Sequence, residues 1–178
     1  MDLYVFDRDL NFLGIIETFY LFRWVRRYYK NGEFELHCIY DDNTSKLLKQ
    51  GNVIWKKDDI EAGYIEHMKL KQNKEGIETI SVKGKFLTGY LGQRILYGTI
   101  NFRSQSVEKT MRIVVDDSCI HSTLDYRNIP HLQLGQLKGF QHQLKGQTSY
   151  KNVLEILENL SSISNLGYRV IDDLTKIK

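Results

Sequence analysis

The chain has 178 residues, 42% hydrophobic and 26% charged, which is enough for one sizeable core or two small domains. This balance excludes a disordered chain and a collagen-like repeat. The formal charge of +3 does not indicate the clustered basic surface of a typical nucleic-acid-binding protein. Two isolated cysteines exclude a disulfide scaffold and a zinc knuckle. No apolar run approaches the roughly 18–20 residues of a membrane span, so no membrane contact is expected.

The first segments favour β-structure. "LYVFDRDLNFLGII" predicts two short strands joined by a polar turn at Asp7–Asn11. An aromatic and β-branched run over residues 18–30 follows, and Asn31-Gly32 after it is typical of a type I′ hairpin turn, which needs positive φ at both positions. At about 3.3 Å per residue, the run predicts a strand of roughly 43 Å, much longer than most strands.

This turn predicts a register in which Lys30 lies opposite Glu33 and Tyr29 lies opposite Phe34. Since side chains alternate between faces, the expected core face collects Leu21, Val25, Tyr29, Phe34, Leu36 and Cys38. The expected polar face collects Trp24, Arg26, Tyr28, Lys30, Glu33, Glu35 and His37. Arg23 and Arg27 fall on the core face, where each must reach the edge, pair with a carboxylate or meet another subunit.

The following segments complete a β-rich domain. "DDNTSKLLKQG" predicts a short helix that ends at Gly51. Strands are predicted in "NVIWKK", "AGYIEHMKLKQ" and "IETISVKGK", and one or two helical turns in "KFLTGYLGQRIL". About six strands with two small helices predict a closed or nearly closed β-barrel over residues 1–102.

The second half predicts a smaller α+β domain over residues 103–178, so the fold class of the chain is α+β. Ser106 is expected to cap a helix in "VEKTMRIVVDDS", and Thr148 or Ser149 to cap another in "YKNVLEILENLSSIS". That second helix is expected to end at Asn165 in a left-handed cap. "RNIPHLQLGQLKG" predicts a loop and then a strand, and "YRVIDDL" predicts a final strand.

The residue types of catalytic and metal sites are present without their usual spacing. The histidines are scattered, at His37, His67, His121, His131 and His142. Metal binding and cofactors are therefore not expected, and the glycines match neither phosphate-binding nor dinucleotide-binding spacings. Cys119 lies two residues before His121, which leaves a small thiol hydrolase as a weak alternative. A buried cysteine is the preferred interpretation, and the chain is predicted not to be an enzyme.

The segment "FRWVRRYY" allows two interpretations. Exposed aromatic and arginine side chains could stack on single-stranded nucleic acid, so a nucleic-acid- or carbohydrate-binding β-barrel module remains an alternative. The preferred interpretation is a subunit contact, because so long a strand extends beyond a compact barrel and exposes an edge to a second polypeptide. The candidate interface consists of Arg23, Trp24, Arg26, Arg27, Tyr28, Lys30, Glu33 and Glu35.

Four stretches resemble a known family. "LYVFDRDLNFLGIIETFYLFRWVRRYYKNGEFEL" resembles the N-terminus of the ReqiPepy-type siphophage tail protein family. "LLKQGNVIWKKDDIEAGYIEHMKL" is similar to a strand and a return strand of the family, and "SVKGKFLTGYLGQRIL" to a later family segment. "TSYKNVLEILENLSSISNLGYRV" is similar to its capped helix followed by "GLGYRV". The four segments are distributed over nearly the whole chain, from residue 3 to residue 170.

The resemblance implies a structural, non-enzymatic role in a phage tail hub or baseplate. Such hubs are usually trimers that join the tail tube and the distal tail protein to a tip fibre or lysin. Tape-measure protein would be a further neighbour, and DNA would pass through the lumen without specific binding. The expected location is the virion, with assembly in the host cytoplasm. Since family members are usually longer, the end after "IDDLTKIK" is expected to mark a truncated or short prophage-derived copy.

Overall fold

The structure, a computed structural model, describes residues 1–103 and 105–171. Contacts divide the chain into two compact units. The first contains Met1–Arg27 and Asn31–Leu87 together with residues 169–171, and the second contains Tyr28–Lys30 and Thr88–Tyr168. The domain boundary expected between residues 102 and 103 stays a prediction, because a division by contacts does not test whether either part folds alone.

The first unit is built on an antiparallel sheet. Its elements are β1 (Leu3–Phe6), β2 (Phe12–Ile16), β3 (Leu21–Val25), β4 (Glu33–Ile39), α1 (Asp42–Leu47), β5 (Val53–Lys56), β6 (Ala62–Gln72) and β7 (Glu78–Phe86). The strand order is β2-β1-β5-β6-β7-β4-β3. Closure of a barrel would require the two outer strands to pair, and β2 and β3 do not pair in the described part of the chain. The prediction of a closed β-barrel is therefore wrong, whereas the α+β class is confirmed.

The predicted register of the β3–β4 hairpin is also wrong. Trp24, rather than Tyr29, lies opposite Phe34, and Val25 lies opposite Glu33. The register is therefore displaced by five residues (29 − 24), an odd number that exchanges the two faces of β3. The strand ends at Val25, so the expected strand of about 43 Å is replaced by five residues and a loop.

The role of Gly32 explains why Asn31-Gly32 wrongly predicted a type I′ hairpin turn. Neither Asn31 nor Gly32 has a positive φ, so the type I′ turn is not formed. Gly32 instead permits a close approach, since a Cβ at this position would lie 2.5 Å from the Phe86 ring and 2.7 Å from the carbonyl oxygen of Val25. Phe86 N also donates to Gly32 O at 3.0 Å, which holds the loop against the end of β7.

The core of the first unit covers one face of the sheet. Its buried residues are Leu3, Val5, Ile16, Phe34, Leu36, Cys38, Leu47, Leu48, Ile54, Ile65, Ile80 and Val82. Helix α1 supplies Leu47, which packs against Gly14 of β2. The Asp41 side chain caps this helix by accepting from the backbone of Asn43 and Thr44. The alternation of Phe34, Leu36 and Cys38 along β4 toward the core is as the sequence predicts.

The second unit combines a small sheet with helices. Its elements are a 3₁₀ helix (Leu87–Gln93) that begins at the last residue of the first unit, β8 (Thr99–Phe102), α2 (Val107–Val115), a π-helical turn (Asp116–Ile120), a 3₁₀ turn (Asp125–Arg127), β9 (Gly146–Ser149) and α3 (Val153–Ser164). Ser106 caps α2, as expected. Asn152, rather than Thr148 or Ser149, caps α3 by accepting from Leu154 N at 3.0 Å. Asn165 ends α3 with φ of 58°, as expected for a left-handed cap.

Two expected strands of this half are not found as predicted. "RNIPHLQLGQLKG" has no strand, and the loop that contains it is held to α2 because the Glu108 carboxylate accepts from Phe140 N at 2.8 Å. Residues 168–171 of "YRVIDDL" are not in a strand, and the rest of that segment lies outside the described residues.

Candidate functional site

The outer face of the sheet carries a network of charges centred on Glu35. Its carboxylate lies 3.1 Å from Lys83 Nζ, 2.8 Å from His37 Nε2 and 3.6 Å from Arg23 Nη1. These groups meet because Arg23, Glu35 and Lys83 are direct cross-strand neighbours on β3, β4 and β7. The hydrogen bond with His37, followed by that from Lys83, lowers the pKa of Glu35.

The other two arginines of the candidate interface also pair with carboxylates of this chain. Arg27 Nη2 lies 2.6 Å from Glu33 Oε1, and this hydrogen bond lowers the pKa of Glu33. Arg26 Nε donates to Glu61 Oε2 at 2.9 Å, and its Nη2 lies 3.9 Å from the nearly buried Asp59. The expectation that Arg23 and Arg27 lie on the core face is therefore wrong. No second subunit is required to neutralise them.

Trp24 lies on the core side of β3, contrary to its predicted place on the polar face. Its ring centroid lies 4.5 Å from that of Phe86 and 5.7 Å from that of Phe34. Its indole N–H is buried and donates to no group in the described part of the chain. Trp24 is thus a packing residue of the core.

Tyr28 and Lys30 belong to the second unit. The Tyr28 ring packs edge to face against Tyr29 at 4.9 Å, and Gly167 approaches it so closely that a Cβ there would lie 2.8 Å from the ring. The Tyr29 hydroxyl donates to Asn165 Oδ1 at 3.0 Å. Lys30 is exposed. In the first unit the structure therefore joins Arg23 to Glu35 and Arg27 to Glu33, whereas Arg26 pairs with Glu61. Whether all eight residues form an interface stays a prediction.

The sheet of the first unit is open at both ends, at β2 as well as at β3, and the sequence does not predict the open edge at β2. Among the described residues, β2 pairs only with β1 and β3 only with β4. Phe12 and Leu13 of β2 are 46% and 44% exposed, so two large apolar side chains lie at an edge. Asn43 Nδ2 donates a long hydrogen bond of 3.5 Å to Ile15 O. The part of β2 that remains open to a further strand is therefore Phe12–Gly14. The feature of the sequence that could have indicated an open edge at β2 is the apolar run directly after a polar turn. The same pattern also predicts a buried strand, so it does not identify an edge.

The thiols do not favour nucleophilic catalysis. Burial raises the pKa of Cys119 to about 11 and that of Cys38 to about 12, so both are protonated at neutral pH. His121 is exposed, and its Nδ1 lies 2.8 Å from Asp116 Oδ1. Within residues 1–103 and 105–171, no His, Cys, Asp and Glu side chains cluster as metal ligands would. Nor is any helix of these residues both long and apolar enough to span a membrane.

An open cleft of about 300 Å³ lies on the outer face of the first unit, beside the aromatic residues of β1 and β5. Tyr4, Phe6 and Trp55 line it together with the loop Lys57–Ile60. Trp55 is only 8% exposed, and its indole N–H donates to Asp59 O at 2.8 Å. Since the ring faces are packed, this cleft does not offer the exposed stacking platform of an aromatic ligand site.

Taken together, the features define an α+β protein with a mostly antiparallel, open sheet whose charges pair with one another. The chain belongs to the family of Siphovirus ReqiPepy6 Gp37-like proteins, whose model matches residues 2–176. The predicted resemblance to this siphophage family is therefore confirmed.

The fold is similar to that of a prophage tail protein, gp18 from Listeria monocytogenes EGD-e, with a TM-score of 0.61 and 11% sequence identity. That similarity covers 96% of this chain and 47% of the Listeria chain, so the present chain spans about half the length of that protein. No curated protein matches the sequence. At this level of identity the similarity to the Listeria protein is one of fold.

Proposed function

We propose that this protein is a non-enzymatic part of a siphophage tail hub or baseplate. In this role it joins the tail tube and the distal tail protein to a tip fibre or lysin, next to the tape-measure protein. The virion tail is its working location, with assembly in the host cytoplasm. The observation that carries the proposal is the pair of open sheet edges, β2 and β3, because unpaired backbone groups at an edge favour pairing with another chain.

The charges at the two edges favour a head-to-tail contact between copies. Exposed Asp9 and Glu17 flank β2, whereas β3 carries Arg23 and is followed by Arg26. Although both arginines pair with carboxylates of their own chain, their side chains remain 65% and 44% exposed and can face a neighbouring copy. When β3 of one copy lies beside β2 of the next, opposite charges come together. Contacts that use two different surfaces close into a ring if the rotation permits, and a homotrimer is such a ring.

The part of the outer face around β3 and β4 is suited to a passage for DNA. Arg23 and Lys83 pair with Glu35, and Arg27 pairs with Glu33, so this part of the face carries little unpaired positive charge. The outer half of β6, where Lys69 and Lys71 lie on the same face, is not part of the proposed lumen. Tight binding of phosphates needs several free cations, and it would hold DNA in place. The proposed lumen therefore allows DNA to pass without specific binding. Glu33 pairs with Arg27 rather than with Lys30, which the predicted register places opposite it.

The alternative of a nucleic-acid- or carbohydrate-binding β-barrel module has less support. Its aromatic–arginine platform would need Trp24 to be exposed, and Trp24 instead packs against Phe86. Its arginines would need to be free, and each of the three pairs with a carboxylate. Steep salt-dependent binding to oligonucleotides is the observation that would revive this alternative.

The experiment compares two alanine variants, each of which removes one of the positively charged side chains that pair with Glu35. Arg23→Ala changes the edge strand β3, whereas Lys83→Ala changes the interior strand β7. The oligomeric state of the full chain is measured by sedimentation over a range of concentrations, and the particles are imaged by electron microscopy. Arg23→Ala is expected to weaken association, and Lys83→Ala to leave it unchanged. Equal effects of both variants, or a wild-type chain that stays monomeric throughout, would count against the proposed role of the edges.

A further inference from the structure

Strand β6 extends far beyond its neighbour β5. The two strands pair only from Val53 to Trp55 on β5, and the last backbone hydrogen bonds on that side join Ile65 N to Asn52 O at 2.8 Å and Gly51 N to Ile65 O at 2.9 Å. From His67 to Gln72, β6 pairs with β7 alone. The described residues thus leave a third unpaired edge, along the outer half of a strand in the middle of the sheet order.

The register shows which backbone groups this edge presents. Asn73 N donates to Ile77 O at 3.0 Å, and the hydroxyls of Thr79 and Ser81 reach the carbonyl oxygens of Lys71 and Lys69. Lys69 and Lys71 therefore direct their backbone groups toward β7. Because this direction alternates along an antiparallel strand, the N–H and C=O groups of Met68, Leu70 and Gln72 point away from β7. These three residues can accept another strand without breaking an existing hydrogen bond.

The side chains along the edge differ between its two faces. Met68 and Leu70 lie opposite Val82 and Ile80 on the core face, and they are 49% and 51% exposed. Lys69 and Lys71 are exposed on the other face. Whereas Lys83 pairs with Glu35, no described carboxylate lies within 4.0 Å of the ammonium of Lys69 or Lys71.

We propose that the outer half of β6 binds an extended segment of a different protein in which apolar and acidic residues alternate. Added as a strand, such a segment would place its apolar side chains beside Met68 and Leu70 and its carboxylates beside Lys69 and Lys71. The inference does not rest on the proposed ring, because it concerns an edge that neither β2 nor β3 contributes. It gives the protein a contact for a partner other than its own copies.

A second copy of the chain is disfavoured by charge. The outer half of β6 in a second copy carries Lys69 and Lys71 itself, so pairing of two such edges would bring like charges together. The other strands with an open edge in the described residues are β2, β3, β8 and β9, and their sequences are "FLGII", "LFRWV", "TINF" and "GQTS". None of them contains an acidic residue, and β3 carries Arg23. None therefore offers the carboxylates that Lys69 and Lys71 require.

The test uses a short, capped peptide of alternating valine and glutamate, and a matched peptide of alternating valine and lysine. Binding to the full chain is followed by NMR and by hydrogen exchange of individual amides. The glutamate peptide is expected to bind about tenfold more tightly than the lysine peptide at low salt. Its carboxylates attract Lys69 and Lys71 across the strands, whereas the lysine peptide places like charges beside them. The glutamate peptide should also slow the exchange of the amides of Met68, Leu70 and Gln72.

Three variants test whether peptide binding depends on the β6 edge while the protein remains folded. Leu70→Pro removes an outward-pointing N–H and keeps the ladder to β7, so it should abolish peptide binding in a folded protein. Lys69→Glu with Lys71→Glu should reverse the preference toward the lysine peptide. Lys109→Glu with Lys151→Glu changes the net charge equally in the second unit and should leave the preference intact.

Several results would overturn the proposal. These are equal affinity for the two peptides, no reversal in the Lys69 and Lys71 variant, or slowed exchange at residues outside the β6 edge. If the same amides become protected without peptide as the protein concentration rises, the occupant is a second copy, and the proposed partner is wrong.

Discussion

Replacing Trp24 by alanine distinguishes the observed register of the β3–β4 hairpin from the one that Asn31-Gly32 predicts. In the structure the ring is half-buried against Phe86 and Phe34, whereas the predicted register places it in solvent. Burial of about 150 Å² of ring surface at about 25 cal/mol/Å² amounts to nearly 4 kcal/mol, an upper value. Residual burial in the unfolded chain reduces the expected loss of unfolding free energy to about 3 kcal/mol.

Leu21→Ala is the matched control for Trp24→Ala. Leu21 lies opposite His37 on the outer face, so its truncation should cost about 1 kcal/mol or less. Urea unfolding followed by circular dichroism measures both variants, with an unchanged dependence on urea as the check for two-state unfolding. A loss below about 1 kcal/mol for Trp24→Ala, with a larger loss for Leu21→Ala, would refute the register described here.

Three further predictions follow from single groups. Gly32→Ala should cost about 2 kcal/mol in urea unfolding because its Cβ would meet the Phe86 ring, whereas Gly135→Ala, with nothing within 4 Å, should have almost no effect. Because the pKa of Glu35 is lowered in the folded state, its carboxylate stabilises the fold above its unfolded pKa of about 4.5, and this contribution is lost as the pH falls below that value. Glu35→Gln should therefore reduce the fall in unfolding free energy at acidic pH. An unchanged dependence of unfolding free energy on pH would contradict the pairing of Glu35 with His37 and Lys83. The buried thiols of Cys38 and Cys119 should be inert to a thiol reagent in the native protein and reactive after denaturation, and rapid native labelling would show that either is accessible.

Local sequence signals predicted the elements whose determinants are local. The alternation of Phe34, Leu36 and Cys38 identified the buried face of β4, and Ser106 marked the start of α2. The left-handed cap at Asn165 also follows from residue type. Each of these features depends on a few adjacent residues and on one face of a strand or helix.

Features that depend on distant residues were not predictable. Only glycine fits at position 32 because the ring of Phe86, a residue far along the chain, lies so close to it. From the sequence alone, Asn31-Gly32 instead predicts a hairpin turn. The pairing of Arg26 with Glu61 likewise joins segments 35 residues apart. The free edge of β6 arises because β5 begins only at Val53, opposite Tyr64, so it depends on the relative lengths of two strands. Closure of the sheet depends on such distant pairings as well.

Disulfide cross-linking between copies is the most direct measurement of assembly through the two outer strands. Leu13→Cys places a thiol on the open part of β2, and Leu21→Cys places one on β3 without removing Arg23. Head-to-tail pairing predicts linked dimers when the two single variants are mixed, few when either is oxidised alone, and closed three-chain rings for the double variant. Equal linking within each single variant, or no linking in the mixture, would contradict assembly through these edges.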